Sequence, residues 1–188
     1  MGCGVLLPEI DGPTHDYMGS SPACWSVYSE VLAREYADRG LFERVHRLTV
    51  DSYAAQHPGR PSAQSIQSVA GHLISLCAVL EHGASSTWAT RLIREAVAVK
   101  GRFPWLEPPE SMGSITVKDV WGADGPVEHE GRVRAWAASV WGVWAPHHAT
   151  VRQWLSSVGS VPPAAGPLMK PTNSHEDLQH LPRNTLGS

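Results

Sequence analysis

Apolar residues settle into helical spacing directly after Ser21-Pro22, where Trp25, Tyr28, Leu32 and Tyr36 recur at intervals of three and four until Gly40. A serine followed by proline is a helix start. The hydroxyl caps a free amide, and the fixed φ of the ring suits the first helical position. A second helix is predicted from about Leu41 to about Gln56, closed by His57-Pro58-Gly59. A third opens at Ser62 and carries Ile66, Val69, Leu73, Leu76 and Leu80 as one stripe up to Gly83. A fourth begins at Ser85 or Ser86 and runs to Gly101, with Leu92, Ala96 and Val99 inward. Between Gly101 and Asp124 the pattern breaks: FPWLEPP (103–109) reads as a proline-bounded loop, and SITVKDV (114–120) as a short strand or a helical turn. Helical spacing resumes near Pro126 and reaches Val158, with Val133, Trp136, Val140, Trp144, His147, Val151 and Leu155 on one face. Pro146 lies inside this last helix and should kink it, because its ring presses on the carbonyl of Gly142.

The ends lack such periodicity. Residues 1–20 are punctuated by glycine and proline and read as a loop wrapped on the domain, whereas 159–188 is Pro-rich and reads as a disordered tail. His175 and His180 belong to that tail and are discounted as ligands. The expectation is therefore all-α: a single-domain bundle of about five helices over 21–158, with a long N-terminal loop and a kinked last helix.

Composition changes this picture little. With 42% hydrophobic and 18% charged residues the chain is of the globular type, long enough to bury one core. A net charge of −3 points away from a nucleic-acid partner, which a basic stripe would mark. No run of eighteen apolar residues occurs, so no membrane span is expected, and Met1 to Ile10 lacks the basic start and apolar centre of a secretory signal. Three widely spaced cysteines suit a reducing cytoplasm better than a disulfide framework. The eight tryptophans are read as core mass first and as stacking surface second.

Chemistry concentrates between Asp11 and Gly59, which holds Asp11, His15, Tyr17, Cys24, His46, Tyr53 and His57. His46 and His57 are eleven residues apart, a rise of roughly 16 Å along a helix, so one ion cannot bind both. On the second helix His46, Thr49, Tyr53, Gln56 and His57 share a stripe. Facing inward, that stripe would line a polar pocket; facing outward, it would be surface, with Leu41, Val45 and Leu48 supplying the core. Asp51 lies on the opposite side from Phe42, as a surface or helix-pairing carboxylate. Cys24 falls in the first turn after Ser21-Pro22, where the dipole and free amides favour a thiolate. It is a candidate nucleophile or soft metal ligand, or a small buried residue beside Trp25. A loop folded over this helix start could bring Cys3 and His15 to Cys24 and, with His46 or His57, form a Cys2His2 zinc site. Their spacings are not those of a zinc finger. Cys77 lies near the apolar stripe of its helix and is expected in the core; His82 and His129 sit near helix ends. Gly-rich phosphate loops, nucleophile elbows and HExxH are absent.

DGPTHDYM (11–18), SPACW (21–25), VHRLTVDSYAAQHPGRPSAQSIQSV (45–69), GRFPWLEPPESMG (101–113) and WAPHHATVRQW (144–154) together resemble a bacterial family defined only as a domain of unknown function. The likeness runs from about Cys3 to about Leu155, and it implies a mostly helical fold without naming an activity. Many members of that family open with a CxxCG element that looks like half of a zinc site. Here the chain reads Met1-Gly2-Cys3-Gly4, without the upstream cysteine, so a four-ligand knuckle is not expected from this element. Adjacent helices could also bring His147 or His148 near His72 or His46, a three-histidine site between helices that, by architecture and histidine count, would be similar to the DinB-type helical bundles, whose metal lies between helices.

The leading expectation is a cytoplasmic metal-dependent enzyme acting on a small molecule, with zinc or another divalent transition metal as cofactor. Cys24, His15 and one of His46 or His57 would hold the ion, and Tyr17 or Tyr53 would orient the substrate. One alternative is a non-catalytic binding or regulatory module, with a structural zinc or none, using its tryptophans and the FPWLEPP loop as a groove. The other is a metal-free enzyme with Cys24 as nucleophile and His15 or His46 as base.

Overall fold

A computed structural model describes residues 2–98 and 101–159; the tail from 160 onward, with its two histidines, and Val99 lie outside the described residues. Seven α-helices and no strand occur among them: α1 (Pro22–Ala37), α2 (Arg39–Gln56), α3 (Ala63–His82), α4 (Ser86–Val97), α5 (Val117–Trp121), α6 (Pro126–Val143) and α7 (His148–Val158). The expected count of five fails at two places. SITVKDV turns out to contain α5, a five-residue helix whose Thr116 amide and hydroxyl both donate to Asp119 Oδ2, at 2.7 and 3.0 Å. The long last helix is kinked at Pro146 as expected, sharply enough to be divided in two. Pro146 sits in a 3₁₀ turn, Ala145–His147, that separates α6 from α7.

Helix ends follow local chemistry. Ser21, Ser62 and Ser85 accept from the amides of Cys24, Ser65 and Trp88 and so cap α1, α3 and α4. The α1–α2 boundary falls at Asp38, not Gly40, because the Asp38 carboxylate caps the Leu41 amide at 2.9 Å. Gly40 is thereby absorbed into α2.

The core lies between α2, α3 and α6. Val45, Leu73, Ile74, Leu76, Val133, Trp136 and Trp144 are essentially inaccessible there. From Leu48 onward α2 is buried nearly all round, since α1, α3, α4 and α6 all pack on it. This explains its unusual composition. Both candidate inward stripes are used, the apolar one by ordinary packing and the polar one through paired groups. The Gln56 amide donates to the carbonyls of Met112 and Ile115 at 2.8 and 2.9 Å, and its oxygen accepts from Trp136 Nε1 at 3.0 Å. Asp51 is fully buried rather than on the surface; it joins α2 to α3 by accepting from Ser75 and His72 while pairing with Arg47.

By length and composition α3 could cross a membrane, with a mean hydropathy of 1.3 over its most apolar window, although it lacks an uninterrupted apolar run. Of that window 56% is buried inside the molecule, against α2, α4 and α7. The FPWLEPP loop likewise spends its apolar residues on packing. Phe103 and Leu106 are buried, with Phe103 against Trp154.

Candidate functional site

Residues 2–20 form neither helix nor strand, but they are anchored: Val5, Leu7 and Met18 pack on the core. The loop is also stitched to the end of α2, where the Gly19 amide donates to the His57 carbonyl at 3.2 Å. Gly59 permits this approach. Its φ is +70°, and a Cβ at that position would lie 2.0 Å from the Tyr17 carbonyl oxygen. The start of the chain is thus laid across the first turn of α1 and the last turn of α2.

Three soft or borderline ligand atoms meet at that crossing. Cys24 Sγ lies 3.9 Å from Cys3 Sγ and 3.4 Å from His57 Nε2, and all three atoms are within 4.8 Å of one another. Cys24 and His57 are 2% and 1% exposed, and Cys3 is 9% exposed. His57 is held by its other nitrogen, Nδ1–H, which donates to the Tyr53 carbonyl at 2.8 Å. That bond leaves the Nε2 lone pair for the thiols, the arrangement typical of metal-ligating histidines. Tyr53, stacked on Tyr28 at 3.8 Å, donates its hydroxyl to Cys24 Sγ at 3.7 Å.

The two thiols titrate as a unit. The bond from Cys24 holds Cys3 well below the ordinary thiol range, against the opposing effect of burial, and the His57 ring adds to the lowering. The same contact and burial push Cys24 up. Burial, and then the neighbouring Cys24, also push the Tyr53 phenol up, so it stays a donor. Of the two thiols Cys3 is the one held down, and a cation could take the place of the proton that lies between the sulfurs.

A cavity of about 320 Å³ opens onto the three atoms. Its remaining walls are Gly2, Gly4, Val5, Gly19, Ser20 and Ser21, so it presents backbone and small side chains and no carboxylate, lysine or arginine.

The other expected ligands go elsewhere. His15 is on the same loop but packs edge-on to Tyr17 and Trp25, with ring centroids 4.4 and 5.3 Å apart, and the Tyr17 amide donates to its Nδ1 at 3.5 Å. Tyr17 lines a neighbouring cavity with Asp16, Arg60 and Ser62. His46 serves the far end of α2, where its Nδ1 lies 2.8 Å from Glu35. His72 donates to Asp51 at 2.7 Å, His147 to the Glu107 carbonyl at 2.9 Å, and His148 to the Trp141 carbonyl at 2.9 Å while stacked on that indole. The interhelical three-histidine site therefore does not form among the described residues. Cys77, Glu81 and His82 also gather near the end of α3, but Arg152 holds both Glu81 oxygens at 2.7 and 2.8 Å, and burial pushes the Cys77 thiol up to about 12.

Sequence reasoning passed over Glu35. This fully buried carboxylate accepts from His46 at 2.8 Å, from His129 Nε2 at 2.9 Å and from Thr49 at 2.5 Å. The signal was present in the heptad-like run Cys24, Tyr28, Val31, Glu35, which is the face α1 buries. The run Trp25, Tyr28, Leu32, Tyr36 is shifted around the helix by one step.

The model of a family of unknown function, DUF5946, matches residues 1–145. No curated protein and no solved structure matches the chain.

Proposed function

The chain belongs to the DUF5946 family, and since that membership carries no activity, we propose one from the geometry: a metal-dependent enzyme acting on a small molecule, with the ion held by Cys3, Cys24 and His57. The convergence of those three atoms carries the reading. A tetrahedral zinc with bonds of about 2.3 Å to sulfur and 2.0 Å to nitrogen requires S···S near 3.8 Å and S···N near 3.5 Å. The distances of 3.9 and 3.4 Å fit that requirement. The Nδ1–H bond to Tyr53 supplies the orienting contact such a histidine needs.

Three protein ligands with a cavity beside them correspond to a catalytic centre rather than to a closed structural one. The ion would supply Lewis acidity toward a carbonyl, hydroxyl or thiol group entering the cavity. The chain supplies the rest. Two thiolate sulfurs would give the site its negative charge, the neutral imidazole would add a third donor atom, and the Tyr53 hydroxyl, bonded to Cys24, tempers that sulfur's basicity. Gly2, Gly4 and Gly19 let the main chain approach a bound molecule closely. With no fixed charge in the walls, the cavity suits a small uncharged substrate.

Elemental mass spectrometry of untagged protein, purified without chelators, tests the reading. Wild type should carry about one transition-metal ion per chain, and Cys3→Ala, Cys24→Ala and His57→Ala should each lose most of it. Cobalt-substituted protein should show thiolate-to-cobalt charge-transfer absorption, and its d–d bands should move when azide is added. Metal-free wild type, or metal retained in all three variants, would end the proposal. Bands that ignore azide would turn it into a structural site.

A further inference from the structure

A second, wider cavity, about 750 Å³, lies elsewhere: a groove between the first half of α2 and α4. It shares no residue with the Cys3–Cys24–His57 cavity. We propose that this groove binds a small molecule carrying a phosphate group and a planar ring, with the phosphate against Arg91, Arg94 and His46 and the ring on Phe42.

Charge is the first argument. The chain is net negative, yet three arginines, Arg47, Arg91 and Arg94, line this one groove. The groove's own carboxylate, Glu43, is paired with Arg39 at 2.9 Å. Arg47 is held by Asp51 at 2.6 Å and Arg91 by Glu95 at 2.8 Å, which fixes two guanidinium groups in place. Arg94 makes no hydrogen bond or ion pair among the described residues. Planar forks of this kind match phosphate oxygens in pairs.

Histidine geometry is the second argument, and it is independent of the first. Glu35 is ionised, because the bonds from His129, His46 and Thr49 hold it low despite the opposing effect of burial. A carboxylate only accepts, so His46 Nδ1 carries the proton and Nε2 is the ring's remaining polar atom. The ring lines the groove, and Nε2 has no protein partner among the described residues. The second proton of a phosphate monoester leaves at about pH 6, so its monoanion, the minor form at neutrality, carries a proton that such a nitrogen can accept. Hydrolase dyads orient imidazoles in the same way, from a buried carboxylate behind the ring.

The third argument is apolar. Phe42 stacks on His46 with centroids 4.3 Å apart, and Tyr36 leans on both at 5.4 and 4.9 Å. Phe42 and Tyr36 remain 36% and 65% exposed, leaving aromatic surface beside the arginines for a ring to cover.

Calorimetric titration of the full chain as purified with inorganic phosphate and with phenyl phosphate is the test. Wild type should bind both at one saturable site, with phenyl phosphate the tighter. Replacing both exposed arginines, Arg91→Gln with Arg94→Gln, should weaken both ligands about tenfold or more, the scale of one charge-assisted hydrogen bond. Phe42→Ala should bring phenyl phosphate down to the affinity of phosphate. Metal content should be unchanged in every variant, so failure here is distinguishable from failure of the metal site. The proposal is overturned if neither probe saturates, if the double substitution changes affinity less than about twofold, or if the phenyl ring adds nothing.

Discussion

Glu35 shows how a single residue can serve two ends. It is a fully buried charge, tolerable only because two imidazole N–H groups and one hydroxyl satisfy it. Glu35→Gln keeps the shape but presents an amide to neighbours that are donors, so it should cost about 2–3 kcal/mol. The cost should depend on pH in a defined direction. The folded pKa lies below the ordinary 4.5 despite burial, owing to the bonds from His129, His46 and Thr49. A lowered carboxylate contributes its full stability above the unfolded value and loses it as pH falls through the folded one. Urea midpoints of wild type and Glu35→Gln should therefore differ most near neutrality and converge on acidification below about 4.5. A constant gap across that range would contradict the assignment. As candidates, Cys24 and one of His46 or His57 were legible from type and position, a thiol in a first turn and a histidine on the second helix, whereas the choice of His57 depends on where the N-terminal loop crosses. Glu35 was legible only as an inward position, in the run Cys24, Tyr28, Val31, Glu35, and only the side chains opposite reveal that its burial is satisfied.

At the scale of elements, α2 and its exit decide where the chemistry sits. Its stripe of His46, Thr49, Tyr53, Gln56 and His57, if inward, reads as a polar pocket wall, yet several of those groups bond to neighbouring elements: His46 and Thr49 to α1, Gln56 to α6 and the 112–115 segment. Asp51, on the other side, bonds to α3. Periodicity found the inward face but could not tell a lined cavity from a saturated interface, since both demand polar residues inside. The same limit applies at Pro146. The proline announced a disturbance, and whether it bends a helix or divides it depends on the packing of α7 against α3. After α2 the chain turns at Gly59, and this turn fixes the distance between the N-terminal loop and His57. Gly59→Ala should be among the most damaging single-methyl changes, because backbone, not a movable side chain, lies 2.0 Å from the new atom. A loss of about 2 kcal/mol or more is expected, from positive φ plus the clash. Metal affinity should fall with it, because Cys3 rides on the displaced loop. Thermal denaturation and competition against a chromophoric chelator would measure the two effects. Full affinity at reduced stability would show that the loop reaches the site independently of the turn.

For the whole molecule, the question is which parts would need the ion. The core between α2, α3 and α6 is closed by its own apolar side chains and paired polar groups, and its largest members, Trp136 and Trp144, satisfy their indole N–H groups on Gln56 and Ala55. Residues 2–20 have no helix or strand of their own. They are held by a few apolar contacts, by the Gly19 bond, by Lys118 Nζ donating to the Leu6 carbonyl at 3.2 Å, by His15 against Trp25 and by whatever joins Cys3 to Cys24 and His57. Removing the ion should therefore release the loop and spare the bundle. Far-UV circular dichroism of chelated protein should keep nearly all its helical signal, while hydrogen exchange of amides 3–20 accelerates strongly and that of α2 and α3 does not. The melting temperature should still fall, because an ion bound only by the folded state stabilises it by mass action. At a thousandfold excess over Kd this is about 4 kcal/mol, or on the order of ten degrees for a domain of this size. Global unfolding on chelation would make the ion part of the core's own stability, as in small zinc domains. An unchanged melting temperature with an undisturbed loop would mean that the thiol–imidazole cluster closes the crossing by hydrogen bonding alone.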